Sequence, residues 1–413
     1  MNIIARGQQF VQSLRDLAGR TSWDWRRCPR CGDNLTRLHG TYSRRPWFVD
    51  GRRPVRVQRH LCRRCGRTYS EGSPLLVAGS WYAREVHRLA IDHWQHAGTS
   101  LRRTAELVRS WLGRQERWLL WCPWDSNPPA SKRCALSAST LQRWLDGAGR
   151  RAQAGVVGQL EGVPSSGQLG TDGLWARLRA GAKRVVLLLS DSRSGLIWPP
   201  VVVRGEERAE DWAPLFARAA GAGLELAGVA GLTSDGASGL VSYLKRVLYW
   251  WNHQRCVWHL WRNLGGALQA VEEGARGELV GLGHAVLDAP DWQQARAGLV
   301  RLGEHRLGTG LARVLNKHWA AALVWRGAYN RGLVRVAPEW LWRDFRLRLS
   351  RGRNHATEVR LERAALVWAI YHNFTPAQRR SERKRVYRRP GQSPLAMAGV
   401  PPNEVSYLDA LAV

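Results

Sequence analysis

Four cysteines near the start of the chain form two Cys-x-x-Cys pairs. The pairs read CPRC and CRRC, and a glycine follows each of them directly. Two such turns can present four thiolates to one tetrahedral Zn²⁺, and the glycine lets each turn fold around the metal. Free thiols or disulfides are the alternative interpretation. The spacing favours a zinc ribbon with the ligands Cys28, Cys31, Cys62 and Cys65.

Two aspartates lie in Asp-Gly steps at the ends of strand-like segments. Asp172 is part of TDG and Asp235 is part of SDG. A strand end beside a glycine can expose a carboxylate at the edge of a sheet, and Mg²⁺ or Mn²⁺ prefers such oxygen ligands. Each aspartate taken alone fits an ordinary Asp-Gly turn. Together, in matching strand contexts, they favour a two-metal site that acts on phosphodiesters.

A third carboxylate must come from another part of the chain. Glu358 and Glu362 are four residues apart and therefore share one face of a helix. Glu358 is the preferred ligand because it follows RNHAT, and Glu362 is the alternative. Asp191 also ends a strand-like segment, but DSRSG is typical of a hairpin turn.

The order of strand-like and helical segments around these carboxylates predicts an α/β core of the RNase H-like fold over 168–256. Three strand-like segments come first, QLGTDGLWARL, KRVVLLLSD and LIWPPVVVRG. A helix, the strand LAGVAGLTSDG and a second helix follow them. In this order the strands that carry Asp172 and Asp235 are neighbours. Residues 257–350 are mainly helical and interrupt the core, and 351–413 supply its last helix, over 354–374, and a basic tail.

The amino-terminal third predicts two further modules. Residues 1–80 comprise a short helix and the zinc ribbon, and residues 81–155 have helical periodicity. The first helix of the second module ends at Gly98, and Ser100 is the N-cap candidate of the next. Residues 111–136 are interpreted as an insertion before a third helix.

That third helix opens at Ser137 or Ser139 and closes at Gly147. Two helices around a glycine turn, followed by a Ser/Thr-rich helix, favour a DNA-binding helix-turn-helix, and a plain three-helix spacer is the alternative. The residues expected to contact DNA are Ser139, Thr140, Gln142 and Arg143.

The composition favours a polyanionic partner. The chain has 413 residues, with 63 Lys and Arg against 33 Asp and Glu, a net charge of +30. An excess of this size is typical of nucleic-acid binding proteins. No apolar run approaches the ~18 residues of a membrane span, and the start MNIIARGQQF lacks the apolar core of a signal peptide. Seven cysteines, four of them paired, fit a reducing cytoplasm, so we expect a nucleoid-associated protein without a membrane partner.

Taken together, the motifs resemble the DDE transposases of bacterial insertion sequences, and the Mutator-like group is the most similar. HQRCVWHLWRN resembles the Cys-x-x-His box that follows the second aspartate in that group. RNHATE is similar to its Thr-Asn-Asn-x-x-Glu, with Arg353 in place of Thr and His355 in place of the second Asn. YHNF and SPLAMAGV also resemble the end of such transposases.

The resemblance makes Cys256, His259 and Arg262 accessory active-site or DNA contacts. His259 and Arg262 lie one helical turn apart, which suits a shared role. Two alternatives stay open. In the first, Cys256 and His259 form half of a second zinc site with Cys122 and Cys134. In the second, they are simply a buried thiol and a buried histidine.

The resemblance implies a function for the whole chain. Asp172, Asp235 and Glu358 would hold Mg²⁺ or Mn²⁺, and an all-helical insertion would separate the second aspartate from the glutamate. Such a protein binds double-stranded DNA, at the terminal inverted repeats of its element and at the target, as a homodimer or higher oligomer. It then performs cleavage and strand transfer. A domesticated, catalytically inactive DNA-binding relative and an RNase H-like structure-specific nuclease are the alternatives.

Overall fold

The computed structural model describes most of the chain. The described residues are 26–73, 75–120, 136–205, 207–327, 333–334, 341, 345–346, 355–376, 391–400 and 406–411; for 113–120 and 154–159 this covers the helix but not the side chains. Several sequence predictions fall outside these ranges: the helix over 1–22, Cys122, Cys134 and the arginine-rich tail before Gly391.

The described residues divide into two compact units of mixed α/β structure. The larger unit contains the described residues between 156 and 346 and between 354 and 403, and the smaller contains those up to 155 together with 406–411. Both units contain helices and a β-sheet. No helix within the described ranges combines the length and apolar character that crossing a membrane requires.

The smaller unit begins with an antiparallel three-stranded sheet. Its strands are β1 (Thr36–Arg44), β4 (Val55–Cys62) and β5 (Thr68–Ser70), with β4 in the centre. The hairpin of β2 (Trp47–Phe48) and β3 (Gly51–Arg52) lies between β1 and β4 in sequence. No residue of β1 is buried, so this sheet has little apolar core of its own.

Three helices follow in the smaller unit: α1 (Arg84–Ala97), α2 (Leu101–Leu120) and α3 (Ala138–Gln159). Gly98 ends α1 in the left-handed conformation at φ 56°, as its position in the sequence predicts. Ser100 caps α2 through its Oγ, which accepts a bond from the Arg103 amide at 3.2 Å. The helices pack through one apolar cluster: Trp47, Tyr82, Val86, Ala90, Ala105, Val108, Leu112, Leu136 and Leu141.

Two predicted helix boundaries in this unit are wrong. Residues 111–120 continue α2 instead of opening an insertion, and Gly147 does not end α3, which runs on to Gln159. A glycine inside a helix costs about 0.5–1 kcal/mol relative to alanine. Packing offsets that cost here, because Ala148 and Ala152 in the next turn are fully buried. The helix starts where Ser137 caps it, with the Thr140 amide 3.2 Å from the Ser137 Oγ.

The larger unit is built on a five-stranded sheet in the order β10-β9-β6-β7-β8. These strands are β6 (Gln168–Arg177), β7 (Lys183–Asp191), β8 (Ile197–Val203), β9 (Gly231–Ser234) and β10 (Asn252–Arg255). The first three form antiparallel hairpins, whereas β9 runs parallel to β6 and β10 runs parallel to β9. The apolar run 185–189 is fully buried in β7, which lies between β6 and β8.

Helices connect and cover this sheet. α4 (Ala209–Gly221) lies between β8 and β9 in sequence, and α5 (Ser238–Val247) lies between β9 and β10. The predicted order of three strands, helix, strand and helix is therefore confirmed, and β10 is a further strand that the patterns do not predict.

The described residues from 257 to 327 are helical, as predicted. They form α6 (Val257–Gln269), α7 (Glu273–Leu287), α8 (Trp292–Glu304) and α9 (Thr309–Ala322). These helices share a leucine-rich core, whose buried members are Val257, Leu260, Leu264, Leu279, Val286, Leu287, Leu302, Leu311, Leu315 and Ala322.

Three helices come last in the chain: α10 (Glu358–Phe374), α11 (Pro394–Met397) and α12 (Tyr407–Ala410). α10 packs against β8 and β7 of the five-stranded sheet. The Asn373 side chain fastens its end there, since it accepts from the Ile197 amide and donates to the Ile197 carbonyl, both at 2.8 Å.

Candidate functional site

The four predicted zinc ligands lie together in the smaller unit. The sulfur atoms of Cys28, Cys31, Cys62 and Cys65 all lie within 4.8 Å of one another. The Sγ–Sγ distances are 3.7 Å from Cys28 to Cys65 and 3.6 Å from Cys31 to Cys62. Zn–S bonds of about 2.3 Å in a tetrahedron place sulfur atoms about 3.8 Å apart. A disulfide would need about 2.05 Å, so the arrangement fits a Cys₄ zinc site and excludes bonds between these thiols.

The backbone of each Cys-x-x-Cys turn explains why a glycine follows it. The Gly32 amide donates to the Cys28 carbonyl at 2.9 Å, and the Gly66 amide donates to the Cys62 carbonyl at 3.0 Å. Both glycines have positive φ, 72° and 67°. The backbone N–H of Cys31 lowers the pKa of the Cys28 thiol to about 7, whereas the pKa of the Cys31 thiol is raised to about 12, since burial and the three neighbouring thiols outweigh a hydrogen bond from the Asp33 backbone.

In the larger unit, the strand that contains Asp172 is hydrogen-bonded to the strand that Asp235 follows. Gly170 of β6 pairs with Thr233 of β9 in the parallel ladder. Two residues further along each strand, the same register leads to Asp172 and Asp235. Neighbouring strands are about 4.8 Å apart, so the two carboxylates share one edge region of the sheet.

Both aspartates are held by short hydrogen bonds. Asp172 is 5% exposed, and its Oδ1 accepts from the Gly173 amide at 2.9 Å. Asp235 lies just beyond β9, and its Oδ1 accepts from the Ala237 amide at 2.9 Å, where α5 begins. The predicted strand-end position is wrong for Asp172, which lies inside β6 opposite Leu188, and is confirmed for Asp235, which directly follows the last residue of β9.

Glu358, the third predicted carboxylate, is in an ion pair. Its Oε2 accepts from the Arg184 Nε at 2.7 Å. In the antiparallel ladder Asp172 pairs with Leu188 and Ala176 pairs with Arg184. Directly paired residues point to the same face of a sheet, and the face repeats every second residue. Glu358 is therefore held on the face of Asp172.

Glu358 is nevertheless displaced from the two aspartates. Ala176, opposite Arg184, is four residues beyond Asp172 on β6, which corresponds to about 14 Å along the strand. Within the described ranges, the four cysteines are the only group of three or more potential ligands gathered within 4.8 Å. The structure places the strand that contains Asp172 beside the strand that Asp235 follows, and it places Glu358 on the face of Asp172, paired with an arginine.

Glu362 and Asp191 have structural roles. Glu362 is only 15% exposed and pairs with Arg218 of α4, which also donates to the Pro200 carbonyl. Asp191 is 1% exposed and caps the β7–β8 turn, where its carboxylate accepts five hydrogen bonds from three serines and Arg193. The hairpin interpretation of DSRSG is confirmed.

Strand β10 places a histidine and an arginine near Asp235. His253 Nε2 lies 2.8 Å from the Ser234 Oγ, and burial lowers the pKa of His253 to about 4, so its ring is neutral at neutral pH. The Arg255 guanidinium approaches Gly236, where a Cβ would lie 2.5 Å from its Nη1. Burial lowers the pKa of Arg255, and the negative charge of Asp235 opposes that shift.

The predicted accessory residues lie at the start of α6. Cys256 is fully buried, and its amide donates to the Ser234 carbonyl at 2.6 Å, which ties α6 to the end of β9. Trp258 is 42% exposed and packs edge-on against His259. The Arg262 guanidinium lies 5.9 Å from the Trp258 ring centroid. The start of α6 is thus tied to the end of β9 next to Asp235, and the buried Cys256 presents no surface there.

The four predicted DNA-contact residues lie on the first turns of α3. Ser139 and Arg143 are exposed and one turn apart, so they share a face. Thr140 accepts from Arg143 at 3.2 Å. Gln142 is half-buried and donates to Asp146 at 3.2 Å.

One carboxylate near this site is not singled out by the sequence patterns. Glu207 lies between β8 and α4, and a Cβ on Gly173 would lie 2.6 Å from its Oε1. Burial raises the pKa of Glu207, and the charge of Asp235 raises it further, while a hydrogen bond from Trp175 opposes the shift. The only available signal in the sequence is its position just after Gly205 at the end of a strand.

Comparison with known proteins finds one family. Residues 200–325 match the family model described as Transposase, Mutator family. The match includes Asp235, Cys256, His259 and Arg262, and the segments with Asp172 and Glu358 lie outside it. No curated protein matches the chain. The resemblance to the Mutator-like group is thereby confirmed, and the match supports a transposase function and DNA as the partner.

Proposed function

We propose that the protein is a DDE transposase, which binds the ends of its mobile element and catalyses metal-dependent DNA cleavage and strand transfer. The observation that carries the proposal is the register of β6 and β9, which leads to Asp172 and Asp235 when it is extended by two residues beyond the pair of Gly170 and Thr233. The family match supplies the reaction class, because its segment includes the second of these aspartates.

We propose that the larger unit has an RNase H-like core. Its three antiparallel strands are followed by helix, strand, helix and strand, and the two parallel strands lie on the β6 side of the sheet. The helices α6 to α9 lie in sequence between Asp235 and Glu358. This order supports a core over 168–256, a helical insertion over 257–350 and a completing segment over 351–413.

Asp172 and Asp235 would hold Mg²⁺ or Mn²⁺ through their carboxylate oxygens. The bound ions would supply an activated water or 3′-hydroxyl and stabilise the leaving oxygen. The chain contributes rigid placement: β6 and β9 fix the aspartates side by side, and the neutral His253 anchors Ser234 next to Asp235. Arg255 and Arg262 provide positive charge for the DNA backbone at the same end of the sheet.

Glu358 is the proposed third ligand. Glu362 is disfavoured because it is largely buried in an ion pair with Arg218. Arg184 holds Glu358 on the correct face of the sheet. Ligation requires Glu358 to exchange this arginine for the metal. A DNA phosphate is suited to take over the Arg184 guanidinium, because arginine binds phosphate and carboxylate with the same geometry.

DNA recognition is assigned to the smaller unit. The zinc ribbon of 1–80 and the helices of 81–155 would bind the element ends, with Ser139 and Arg143 on the exposed face of α3 in a helix-turn-helix. The net charge of +30 supports extensive phosphate contact. A homodimer or higher oligomer would assemble on DNA, and a nucleoid-associated location follows from that partner.

A catalytically inactive DNA-binding relative is the second candidate, because Glu358 is paired with Arg184 and not gathered with the aspartates. A structure-specific nuclease has no observation in its favour beyond the same fold.

The experiment is cleavage of DNA that carries the terminal inverted repeats flanking the gene, in Mg²⁺ or Mn²⁺. We expect Asp172→Asn, Asp235→Asn and Glu358→Gln each to abolish cleavage while end binding remains. An amide keeps the shape of the side chain but loses the charge that offsets repulsion between two cations. Glu210→Gln is the matched control, since Glu210 is exposed on the first turn of α4.

Three outcomes separate the candidates. Wild-type protein that binds element ends but never cleaves them supports the inactive relative. Cleavage that survives all three substitutions refutes the DDE assignment. Cleavage that survives Glu358→Gln but not Glu362→Gln moves the third ligand by one helical turn.

A further inference from the structure

The turn between β6 and β7 carries an exposed tryptophan among exposed cations. Trp175 is 52% exposed, and Arg177, Arg179 and Lys183 are exposed as well. We propose that this hairpin tip, residues 175–184, binds an unpaired nucleotide of the DNA strand near the cut phosphate, with Trp175 stacking on its base. The inference rests on the proposed function, because it names a contact of the same DNA beside the same site.

The hairpin extends past the parallel part of the sheet. β9 pairs with β6 only from Gln168 to Gly170, whereas β7 pairs with β6 as far as Arg177. Within the described part of the chain, no strand pairs with 171–177 on the β9 side of β6. Asp172, the first proposed ligand, lies at the start of this open edge. A DNA strand held at Asp172 can therefore continue along the edge toward the hairpin tip.

The spacing along β6 suits a neighbouring nucleotide. Trp175 is three residues beyond Asp172, which corresponds to about 10 Å along the strand. The two side chains point to opposite faces of the sheet, and the unpaired edge of β6 separates these faces. Successive nucleotides of a stacked strand are ~3.4 Å apart. Trp175 therefore lies about three nucleotides from a phosphate at the Asp172 site.

The ring of Trp175 is fixed but not enclosed. A Cβ on Gly205 would lie 3.4 Å from the Trp175 Cζ3, so the ring packs directly against this glycine. The indole also donates a hydrogen bond to Glu207. A ring held in this way loses little conformational entropy when a base stacks on it. Stacking on an aromatic ring accepts any base, because every base has a π-face.

The cations of the hairpin tip complement phosphate. Arg177 pairs with Lys183 in the ladder, two residues beyond the pair of Trp175 and Val185. Both cations therefore lie on the face of Trp175. Residues 175–184 contain no acidic side chain, and their basic residues are Arg177, Arg179, Lys183 and Arg184. An aromatic ring beside cations is the pattern by which proteins bind a single strand without reading its sequence.

The hairpin tip is fastened to the segment that carries the proposed third ligand. The Arg179 amide donates to the His355 carbonyl at 3.3 Å, and Arg184 pairs with Glu358. Gly181, with φ 84°, donates to the Leu178 carbonyl at 2.9 Å and closes the turn. A base stacked on the hairpin tip would thus hold the DNA strand in a fixed position relative to the proposed metal ligands.

The test is binding of fluorescently labelled DNA to the full-length, zinc-loaded protein without a divalent cation, followed by anisotropy. Two duplexes of the element-end sequence are compared, one blunt and one with a short single-stranded extension of thymines. We expect the wild type to bind the extended duplex more tightly. Trp175→Ala should weaken binding of the extended duplex by about 5- to 100-fold and leave binding of the blunt duplex unchanged.

Two variants and the salt dependence separate stacking from a structural role. Trp175→Phe keeps a ring and should lose less affinity than Trp175→Ala. Trp250→Ala, which removes a tryptophan that is 47% exposed outside the hairpin, is the matched control and should bind both duplexes as the wild type does. Arg177→Gln and Lys183→Gln should each reduce the slope of log K against log salt by about 0.7 on the extended duplex. Trp175→Ala should leave that slope unchanged, because a stacked ring releases no counterions.

Several outcomes overturn the inference. Equal affinity of the wild type for the two duplexes does so, as does wild-type binding by Trp175→Ala or an equal loss on both duplexes. If Trp175→Ala has a lowered thermal midpoint, the two charge variants decide the question, and unchanged salt slopes overturn the inference. The proposed function fails separately: cleavage that survives the aspartate and glutamate substitutions refutes it whatever the hairpin tip binds, because this binding is measured without the metal.

Discussion

The zinc ribbon allows the most quantitative prediction, because so little else stabilises its sheet. None of the nine residues of β1 is buried, and Val57 is the only buried aliphatic residue of β1, β4 and β5. Burying a valine side chain contributes about 2 kcal/mol. Zinc bound by four thiolates contributes about 10–16 kcal/mol at neutral pH. The metal therefore dominates the stability of this sheet by several-fold.

The perturbation is Cys62→Ser, which removes one of four thiolates at the fully buried end of β4. We expect zinc content to fall from one ion per chain to well below one. We also expect amide hydrogens of 55–62 to lose their protection from exchange, since most of the free energy that orders the strand is lost with the metal. The 183–191 segment of β7, in the larger unit, should keep its protection.

The assay is zinc analysis combined with hydrogen exchange read by mass spectrometry. Cys256→Ser is the matched control, because Cys256 is buried outside the cluster and should leave zinc at one per chain. Protection of 55–62 that survives Cys62→Ser or a strong chelator would show that apolar packing holds the ribbon and would refute the reasoning.

Three further predictions concern the larger unit. The pKa of His253 is about 4 in the fold but about 6.5 in an unfolded chain, so the free energy of unfolding should fall by up to about 3 kcal/mol as pH drops from about 6.5 to about 4. Urea denaturation across that range should show a weaker pH dependence of stability for His253→Gln than for the wild type. Parallel pH profiles of the two proteins would contradict the assignment. Asp191→Ala should destabilise the protein by about 3 kcal/mol or more, because five hydrogen bonds to a buried carboxylate are lost. The Mn²⁺ affinity of this variant should be unchanged. A loss of Mn²⁺ affinity in the folded variant would mean that Asp191 is a metal ligand. Arg184→Gln should lower the free energy of unfolding by at most about 1 kcal/mol, since Glu358 is partly exposed. The same substitution should raise the Mn²⁺ affinity by releasing Glu358. A lowered Mn²⁺ affinity would mean that Arg184 positions Glu358 and does not compete with the metal for it.

Much of the fold was available from local sequence patterns. Apolar runs of strand length predicted β6, β7, β8 and β9, and turn chemistry placed DSRSG between two of them. Periodicity and capping residues predicted the helices on either side of Gly98. These signals are local, because the alternation of apolar residues and the φ preference of glycine act within a few residues. The same locality explains the error at Gly147, where distant packing outweighed a local helix stop.

Short polar elements escaped such patterns. β10 reads Asn-His-Gln-Arg and has no apolar alternation, yet it forms a strand because β9 offers it a parallel edge. Its Arg255 and His253 are thereby brought to the Asp235 end of the sheet. No residue type within the segment encodes that pairing, so only the assembled sheet could reveal it.

The chemistry divides in the same way. The sequence by itself determined the four thiolates, since two Cys-x-x-Cys turns define their own geometry. It predicted a strand end for both aspartates, which is confirmed for Asp235 and wrong for Asp172, because Asp172 lies inside β6. Only the tertiary structure decided that Arg184 holds Glu358 and that Glu207 lies against Gly173. Ion pairs and close backbone approaches join residues that are far apart in the chain. Their free energy depends on distances through space, which no local pattern of residue types contains.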